Sequence, residues 1–201
     1  MSQAPVTKKT LNLEIEVKLA CDDLDRLRGA GFDLRLETPR HFEDNWLLDR
    51  PDQSLLQQRA ALRVRSVDGK GTVTYKGVVK ETGESRLKVR EEIETEVDEP
   101  DRLIELFERL GYQRSFRYQK YRTDYCLTLD GRELQVVLDE TPMGTFIEIE
   151  GDESGVLKVL ETAGFSAGDI VRESYPELQE ARCRERGVPL EDLVFNQESS
   201  R

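Results

Sequence analysis

The residues of this chain that could do chemistry lie in segments where charged and apolar side chains alternate. The first such segment is Glu14-Ile15-Glu16-Val17-Lys18. Because successive side chains of a β-strand point to opposite faces, Glu14, Glu16 and Lys18 share one face. Two carboxylates about 7 Å apart along a strand can hold a divalent cation, and the lysine can meet the anion that this cation carries. One such strand alone is equally typical of a half-buried sheet with a solvated face.

The same alternation recurs along the chain, which favours a shared purpose for the charged faces. The segments are Leu62–Arg65, Thr72–Lys76, Ser85–Val97, Phe116–Asp124, Glu133–Asp139 and Phe146–Glu150. Charges that only protect exposed strand edges would be mixed along each strand. Here the acids cluster in the first, middle and last strands, and paired bases occupy strands between them. If the sheet closes into a barrel, these faces converge on one lumen.

The predicted lumen holds bases and acids in similar number, although the whole chain carries a formal charge of −11. The bases are Lys18, Arg63, Arg65, Lys76, Arg86, Lys88, Arg90, Lys120 and Arg122, and the acids are Glu14, Glu16, Glu92, Glu94, Glu133, Asp139, Glu148 and Glu150. The rest of the surface must therefore hold nearly all of the negative excess. With no basic stripe left outside the lumen, we expect no nucleic-acid partner.

The ordered set of motifs resembles the CYTH superfamily, also called triphosphate tunnel metalloenzymes. The matching elements run from Leu11 to Gln179: Glu-x-Glu-x-Lys at Glu14–Lys18, Arg-x-Arg at Arg63–Arg65, a lone strand lysine at Lys76, Arg-x-Glu-x-Glu at Arg90–Glu94, Lys-x-Arg at Lys120–Arg122, an aspartate at Asp139, and Gly-x-Phe-x-Glu-x-Glu at Gly144–Glu150. The superfamily includes thiamine triphosphatases, inorganic tripolyphosphatases and class IV adenylyl cyclases. The resemblance implies an α+β fold, a closed antiparallel eight-stranded β-barrel (the tunnel) with helices packed on its outside.

The resemblance also implies a role for each matched residue. The metal ligands for Mg²⁺ or Mn²⁺ fall on Glu14, Glu16, Asp139, Glu148 and Glu150. The substrate-binding bases fall on Lys18, Arg63, Arg65, Lys76, Arg90, Lys120 and Arg122. The catalytic positions fall on Lys18, Glu92, Glu94, Lys120 and Asp139, with Glu92, Glu94 or Asp139 expected to hold the attacking water. Arg86, Lys88 and Glu133 lie on the charged faces of their strands without matching a motif. Arg117 is an odd number of positions from Lys120, so alternation places it on the opposite face (the opposite parity).

The chemistry of these residue types fits phosphoryl transfer. Mg²⁺ and Mn²⁺ prefer oxygen ligands and keep several waters, and arginine forks bind phosphates in a bidentate way. We therefore predict a metal-dependent hydrolase acting on inorganic tripolyphosphate or an organic triphosphate such as thiamine triphosphate. The alternatives are a class IV adenylyl cyclase and a non-catalytic polyphosphate- or nucleotide-binding module. Lys8–Leu13 lacks the His-Phe pair that some class IV cyclases carry before the first motif, which disfavours that type. Trp46 could stack on a base, but its strand favours a core position.

Composition and pattern set the remaining expectations. At 201 residues with 37% hydrophobic content, the chain is predicted to contain one domain, residues 11–186, after a flexible leader (1–10) and before a C-terminal tail (187–201). No apolar run could span a membrane and no signal-peptide core precedes residue 10, so a cytoplasmic location is expected. The sequence is compatible with a homodimer as well as with a monomer.

The cysteines and the histidine carry no predicted chemistry. Cys21, Cys126 and Cys183 are scattered, which favours buried thiols over disulfides or a zinc site. His41 is the only histidine and is predicted to be structural or exposed.

The sequence also predicts four helices. The first is capped by Asp22 or Asp23, the second follows Glu99, and the third spans Asp152 to Ala163. The fourth begins at the Ser-Tyr-x-x-Leu sequence of Ser174, and we expect it to plug or cover one tunnel mouth. Its three arginines, at 182, 184 and 186, are predicted to be solvated.

Overall fold

The computed structural model describes residues 13–20, 24–78 and 88–196, without the side chains of Leu13, Glu14 and Lys88. The nine strands within these ranges are β1 (Leu13–Ala20), β2 (Leu34–Asp49), β3 (Ala61–Val67), β4 (Lys70–Lys76), β5 (Lys88–Val97), β6 (Gln113–Leu129), β7 (Arg132–Thr141), β8 (Gly144–Glu150) and β9 (Ile170–Val171). The five helices are α1 (Asp25–Gly29), α2 (Ser54–Gln57), α3 (Pro100–Arg109), α4 (Glu153–Thr162) and α5 (Tyr175–Glu185). No helix of the described residues is long and apolar enough to cross a bilayer.

The strands form a closed antiparallel barrel, as predicted. The order is β5-β4-β3-β2-β6-β7-β8-β1, and β1 closes the ring by pairing with β5 through Leu13–Glu16. On the same edge of β1, the C-terminal residues Lys18 and Leu19 pair with the short β9 instead. The other edge of β1 pairs with β8, so Glu16 lies opposite Glu150 and Lys18 opposite Glu148. This register places the first and last motif strands side by side.

The alternation of the sequence divides the strands into a charged inner face and an apolar outer face. Val17 and Leu19 of β1 belong to the largest apolar cluster together with Ile147 and Ile149 of β8. Leu27 of α1 and Val156, Val159 and Leu160 of α4 cover this surface. Lys18, Lys120 and Asp139, with the opposite parity, point inward and are almost fully buried. The prediction of helices outside and charges inside is thus confirmed.

A second outer cluster lies under α3. Leu48, Leu62, Val64 and Ile104 form it, and Trp46 packs against them. The tryptophan therefore belongs to the core, as favoured from the sequence. Helix α3 begins at Pro100 next to Gly71 of β4, where any Cβ would lie 2.6 Å from the Cβ of the proline. A glycine is required for this close approach.

The third cluster, which we call the aromatic plug, fills one end of the barrel from inside. Its buried members are Phe116, Tyr118, Phe146, Tyr175 and Leu193. Phe116 and Tyr118 have the inward parity of Lys120, and Phe146 has that of Glu148. Helix α5 delivers Tyr175 and begins with a capping box in which Ser174 and Glu177 bond each other's backbone. Helix α5 therefore places Tyr175 in this cluster, and its covering of a tunnel mouth stays a prediction.

Part of the segment assigned to the C-terminal tail packs on the barrel. The edge of β6 before Tyr121 has no β7 partner, and Leu193 occupies it through backbone hydrogen bonds with Arg117 and Gln119. The carboxylate of Asp192 accepts a further bond from the Arg117 amide at 2.8 Å. Leu193 is 2% exposed within the aromatic plug. Residues 188–196 thus follow the barrel wall, whereas 197–201, the leader 1–10 and the predicted capping residues Asp22 and Asp23 lie outside the described ranges.

Candidate functional site

A chain of ion pairs with alternating sign runs around the inside of the barrel. In order it consists of Arg65 (β3), Glu43 (β2), Lys120 (β6), Asp139 (β7), Arg122 (β6), Glu148 (β8) and Lys18 (β1), and we call it the ion-pair ring. The successive nitrogen–oxygen distances are 3.1, 3.4, 2.7, 2.7, 2.8 and 3.4 Å. Six strands of the barrel therefore contribute to one electrostatic network.

Asp139 lies at the centre of the ring and is completely buried. Its Oδ1 accepts from Nε of Arg122 at 2.7 Å, and its Oδ2 accepts from Lys120, from Nη2 of Arg122 and from the Tyr175 hydroxyl at 2.7 to 2.8 Å. Burial alone would raise the pKa of this carboxyl, but the two cations hold its pKa below the usual range. Asp139 therefore fixes the positions of two bases and one phenol.

The other two ring carboxylates are ionised for the same reason. Burial would raise the pKa of Glu43, yet Lys120, Arg122 and Arg65 bring this pKa well below its ordinary value. The pKa of Glu148 is likewise lowered, because Lys18 and Arg122 outweigh its burial. Removing a partner would leave a buried charge uncompensated.

The remaining wall of the lumen, formed by β4 and β5, carries separate pairs. The Lys76 ammonium lies 3.0 Å from the Glu92 carboxylate. Thr74 accepts from Nη2 of Arg63 at 3.0 Å and donates to Glu94 at 2.8 Å. Glu94 is about half exposed, whereas Thr74 is fully buried. Of the three acids predicted to hold the attacking water, Glu92 and Glu94 are therefore engaged with bases of this wall.

Three buried hydrogen-bond donors point into this charged interior without an acceptor among the described residues. They are Nε of Arg63, Nε of Arg90 and Nδ2 of Asn45. The Oδ1 of Asn45 accepts from Nε of Arg65 at 3.3 Å, which leaves its amide nitrogen available. Buried donors are satisfied in nearly all native structures, so these three atoms require acceptor oxygens. An anion with several oxygens inside the barrel would supply them.

The carboxylates assigned to the metal lie on adjacent strands. Glu16 and Glu150 are direct cross-strand neighbours, and Glu148 follows on the same face of β8. Like charges placed directly opposite repel each other, and a divalent cation would remove that repulsion. The side chain of Glu14 lies outside the described part, as does that of Lys88. No group of three or more acidic, histidine or cysteine side chains among the described residues is arranged to hold a metal.

Tyr175 connects the aromatic plug to the ion-pair ring. Besides the hydrogen bond to Asp139, its aromatic ring is contacted by the Lys18 ammonium, which lies 3.9 Å from the ring centroid. The same ammonium donates to the Glu173 carbonyl at 3.3 Å. A cation over an aromatic face is attracted by the ring quadrupole, so α5 holds Lys18 in position. The start of this helix is thus part of the site.

The structure brings most of the predicted residues together but places some elsewhere. Lys18, Arg63, Arg65, Lys76, Lys120 and Arg122 all carry contacts inside the barrel, as described above. Arg117 faces outward and binds Asp44 in a bidentate way, in agreement with its parity. Glu133 is largely exposed, and the arginines of α5 lie on its solvated face. Arg86 lies outside the described residues, as does Cys21, while Cys126 and Cys183 are buried free thiols.

The sequence analysis did not identify Glu43, Asn45 and Tyr118 as residues of the site. It also did not predict the hydrogen bond of Tyr175 to the ion-pair ring. The signal for the first two was present, because Trp46 was assigned to the core and alternation then turns Glu43 and Asn45 inward. His41 has the same parity and lies 3.6 Å from Glu43. Its side chain is 18% exposed and lies at the lumen rather than on the outer surface. Its structural role stays a prediction.

Comparison with known proteins gives a consistent picture. The family model described as CYTH domain matches residues 12–175. A Methanocaldococcus jannaschii protein named "Putative adenylate cyclase MJ0240" is 26% identical over 182 residues, covering 83% of this chain and 98% of that protein. The solved PH1819 protein of Pyrococcus horikoshii is 26% identical with a TM-score of 0.66, covering 84% of this chain and 99% of that one. A Hippeastrum structure, described as "Putative adenylyl cyclase HpAC1 from Hippeastrum reveals a dominant triphophatase activity", has 21% identity and a TM-score of 0.57, covering 90% and 99%.

Proposed function

Because the chain belongs to the CYTH domain family, we propose that it is a divalent-metal-dependent hydrolase of a triphosphate bound inside the barrel. The observation that carries this proposal is the set of buried donors, on Arg63, Arg90 and Asn45, that have no acceptor in the described part of the chain and lie beside the cations of the ion-pair ring. A linear triphosphate is rich in acceptor oxygens and carries several negative charges. It matches both the unsatisfied donors and the excess of bases at the two ends of the ring.

The bases have distinct tasks in this proposal. Arg63 and Arg65 present planar guanidinium groups, which bind phosphate oxygens in pairs. Lys120 and Arg122 are held by Asp139 with bonds of 2.7 Å, so their geometry exists before the anion arrives. Positioning and electrostatic stabilisation supply most of the catalysis in phosphoryl transfer. A pre-formed arrangement of this kind is therefore what the reaction requires.

The carboxylates present fit a Mg²⁺ or Mn²⁺ ion as the partner of the anion. Glu16 and Glu150 would hold it, with Glu148 beside them and Glu14 as a further candidate. Such an ion, when bound, neutralises phosphate charge and polarises the phosphoryl oxygens. Asp139, assigned to the metal from the sequence, has both oxygens engaged by Lys120, Arg122 and Tyr175. We assign it the task of positioning these groups instead.

An adenylyl cyclase is the second candidate, favoured by the name of the M. jannaschii relative. A cyclase must also recognise a base and direct the ribose hydroxyl to the α-phosphate. Trp46, the aromatic residue considered for base stacking, packs under α3 on the outer side of the barrel. This position favours hydrolysis, for which the phosphate contacts suffice. The Hippeastrum protein with the same fold is described with a dominant triphosphatase activity.

The test is product analysis with purified protein, Mg²⁺ or Mn²⁺, and tripolyphosphate, thiamine triphosphate or ATP. We expect orthophosphate from tripolyphosphate or thiamine triphosphate, whereas cyclic AMP and pyrophosphate from ATP would establish the cyclase. Glu16→Gln should abolish metal-dependent turnover and leave thermal unfolding unchanged. Its matched control is Glu161→Gln on the exposed face of α4, which should keep full activity. A wild-type rate in Glu16→Gln would refute the metal assignment, and absent turnover with tight binding would indicate a binding module.

A further inference from the structure

Tyr118 lies where the aromatic plug meets the charges of the lumen. Along the inner face of β6 it follows Phe116 and precedes Lys120. Its ring stacks on Phe116 at 6.2 Å and contacts Tyr175 at 5.8 Å, and it is 6% exposed. Because the ring is held on both sides, the phenol oxygen has a fixed position inside the barrel.

Among the described residues, the hydroxyl of Tyr118 accepts a hydrogen bond but donates none. Nη1 of Arg63 approaches it at 3.4 Å. The phenol proton has no acceptor among the residues that the structure describes, although a buried hydroxyl of this kind normally finds one. Leaving such a donor unsatisfied destabilises the folded protein. The position therefore calls for an acceptor oxygen.

Three cations act electrostatically on this phenol. Burial would raise the pKa of Tyr118, but Arg63 and Arg65 on β3 and Lys120 on the same strand as the tyrosine lower it. Glu43 of β2, which pairs with Arg65 and Lys120, is the nearby ring carboxylate. A more acidic phenol is a stronger hydrogen-bond donor. The same cations would collect an anion at the point where this donor lies.

We propose that the Tyr118 hydroxyl donates a hydrogen bond to a phosphate oxygen of the bound triphosphate, next to the Arg63 guanidinium. The contact deepens the function proposed above and rests on it. It adds a second neutral donor, besides Asn45, to a site made largely of charges, and it lies against the plug. The phosphate that reaches Tyr118 is therefore the one inserted furthest toward the closed end of the barrel.

The experiment compares Tyr118→Phe with Tyr121→Phe, each titrated with tripolyphosphate by calorimetry. Phenylalanine keeps the ring and its packing but removes the donor. Tyr121 is the matched control, because it lies on the outer face of β6 against Phe42 and Phe195. We expect Tyr118→Phe to bind roughly 10- to 100-fold more weakly than wild type, as for a lost hydrogen bond to a charged group. Tyr121→Phe should bind as wild type does.

A spectroscopic readout separates direct contact from an indirect effect on Arg63. A phenol that donates to a phosphate changes its near-ultraviolet absorption, so tripolyphosphate should produce a tyrosine difference spectrum in the wild type and in Tyr121→Phe. The signal should vanish in Tyr118→Phe. Equal affinity of Tyr118→Phe and wild type, or an unchanged difference spectrum, would overturn the proposal. Should Tyr118→Phe fail to fold, the wild-type spectrum decides, because saturation with tripolyphosphate without a tyrosine difference signal overturns the assignment. A wild-type protein that binds no triphosphate would refute the proposed function itself.

Discussion

Replacing Asp139 by asparagine tests whether the ion-pair ring holds the barrel together. Asparagine has the same shape, so no cavity arises, but it removes the negative charge that Lys120 and Arg122 share. Both bases are bonded to this carboxylate at 2.7 Å, and Lys120 is only 2% exposed. Lys120 keeps its contact with Glu43 and Arg122 keeps its contact with Glu148. The substitution nevertheless removes one of the three carboxylates that compensate the four bases of the ion-pair ring, so buried positive charge is left in excess.

The expected loss follows from this burial. Removing one partner of a buried ion pair costs about 3–5 kcal/mol, and for a domain of this length 1 kcal/mol lowers Tm by about 2–4 °C. We expect Asp139→Asn to unfold about 6–20 °C below the wild type in a calorimetric or circular dichroism scan. Because the folded-state pKa of Asp139 is lowered, its contribution is present above the unfolded pKa of about 3.9 and is lost as pH falls through the folded value. The difference between variant and wild type should shrink accordingly below about pH 4.

Asp44→Asn is the matched control for this loss of charge. Asp44 also binds an arginine through two bonds, to Nε of Arg117 at 2.9 Å and to Nη2 at 2.6 Å. This pair faces outward and Arg117 is 36% exposed, so solvent screens it. Exposed pairs contribute about 0–1 kcal/mol. Equal stability losses in Asp139→Asn and Asp44→Asn would refute the argument that burial of the ring determines its energetic weight.

Two further predictions concern the plug and the lumen histidine. Leu193→Ala should lower the free energy of unfolding by about 2–5 kcal/mol in urea denaturation, because the side chain is fully packed, whereas the exposed Leu190→Ala should change it little. A negligible effect of Leu193→Ala would mean that residues 188–196 do not stabilise the barrel. The Glu43 contact raises the pKa of His41, so its stabilisation is complete below the unfolded pKa of about 6.5 and is lost as pH rises through the folded value. His41→Gln should therefore destabilise the protein more at about pH 5 than at about pH 9, and a pH-independent difference would contradict this.

The sequence was sufficient to predict the barrel and the direction of its charges. Alternation fixes which side chains share a face, and the helical segments between strands require a covered outer surface. Alternation alone does not close the sheet, and the closed eight-stranded barrel is what the resemblance to the CYTH superfamily implied. Closure then places Lys18 and Lys120 in one lumen. The strand register, which places Glu16 opposite Glu150, agrees with the pairing of the first and last motifs.

Pairing of the individual charges could not be predicted. Alternation along β7 places Asp139 in the lumen. Its contacts with Lys120, Arg122 and Tyr175 depend on the stagger between the strands of the barrel and on the docking of α5. The contact between Asp139 and Tyr175 joins positions 36 residues apart, on elements that no local pattern relates. Leu193 is a similar case. Its segment lacks an alternating strand pattern, yet it completes an edge of β6 that only the unequal lengths of β6 and β7 expose.

The paired lumen has a consequence for ligand selection. The positive charges of the ion-pair ring are already balanced in large part by Glu43, Asp139 and Glu148. An incoming anion therefore gains less binding free energy than it would from isolated cations. These carboxylates also stay in the lumen and repel the anion. A monophosphate offers too little charge and too few oxygens to satisfy Arg63, Arg90, Asn45 and Tyr118 together against that repulsion. A triphosphate that arrives with a divalent cation can satisfy them and also reduces the repulsion between Glu16 and Glu150. The ion-pair ring would therefore favour long, metal-bound phosphate chains over short ones, even though the same bases would bind both.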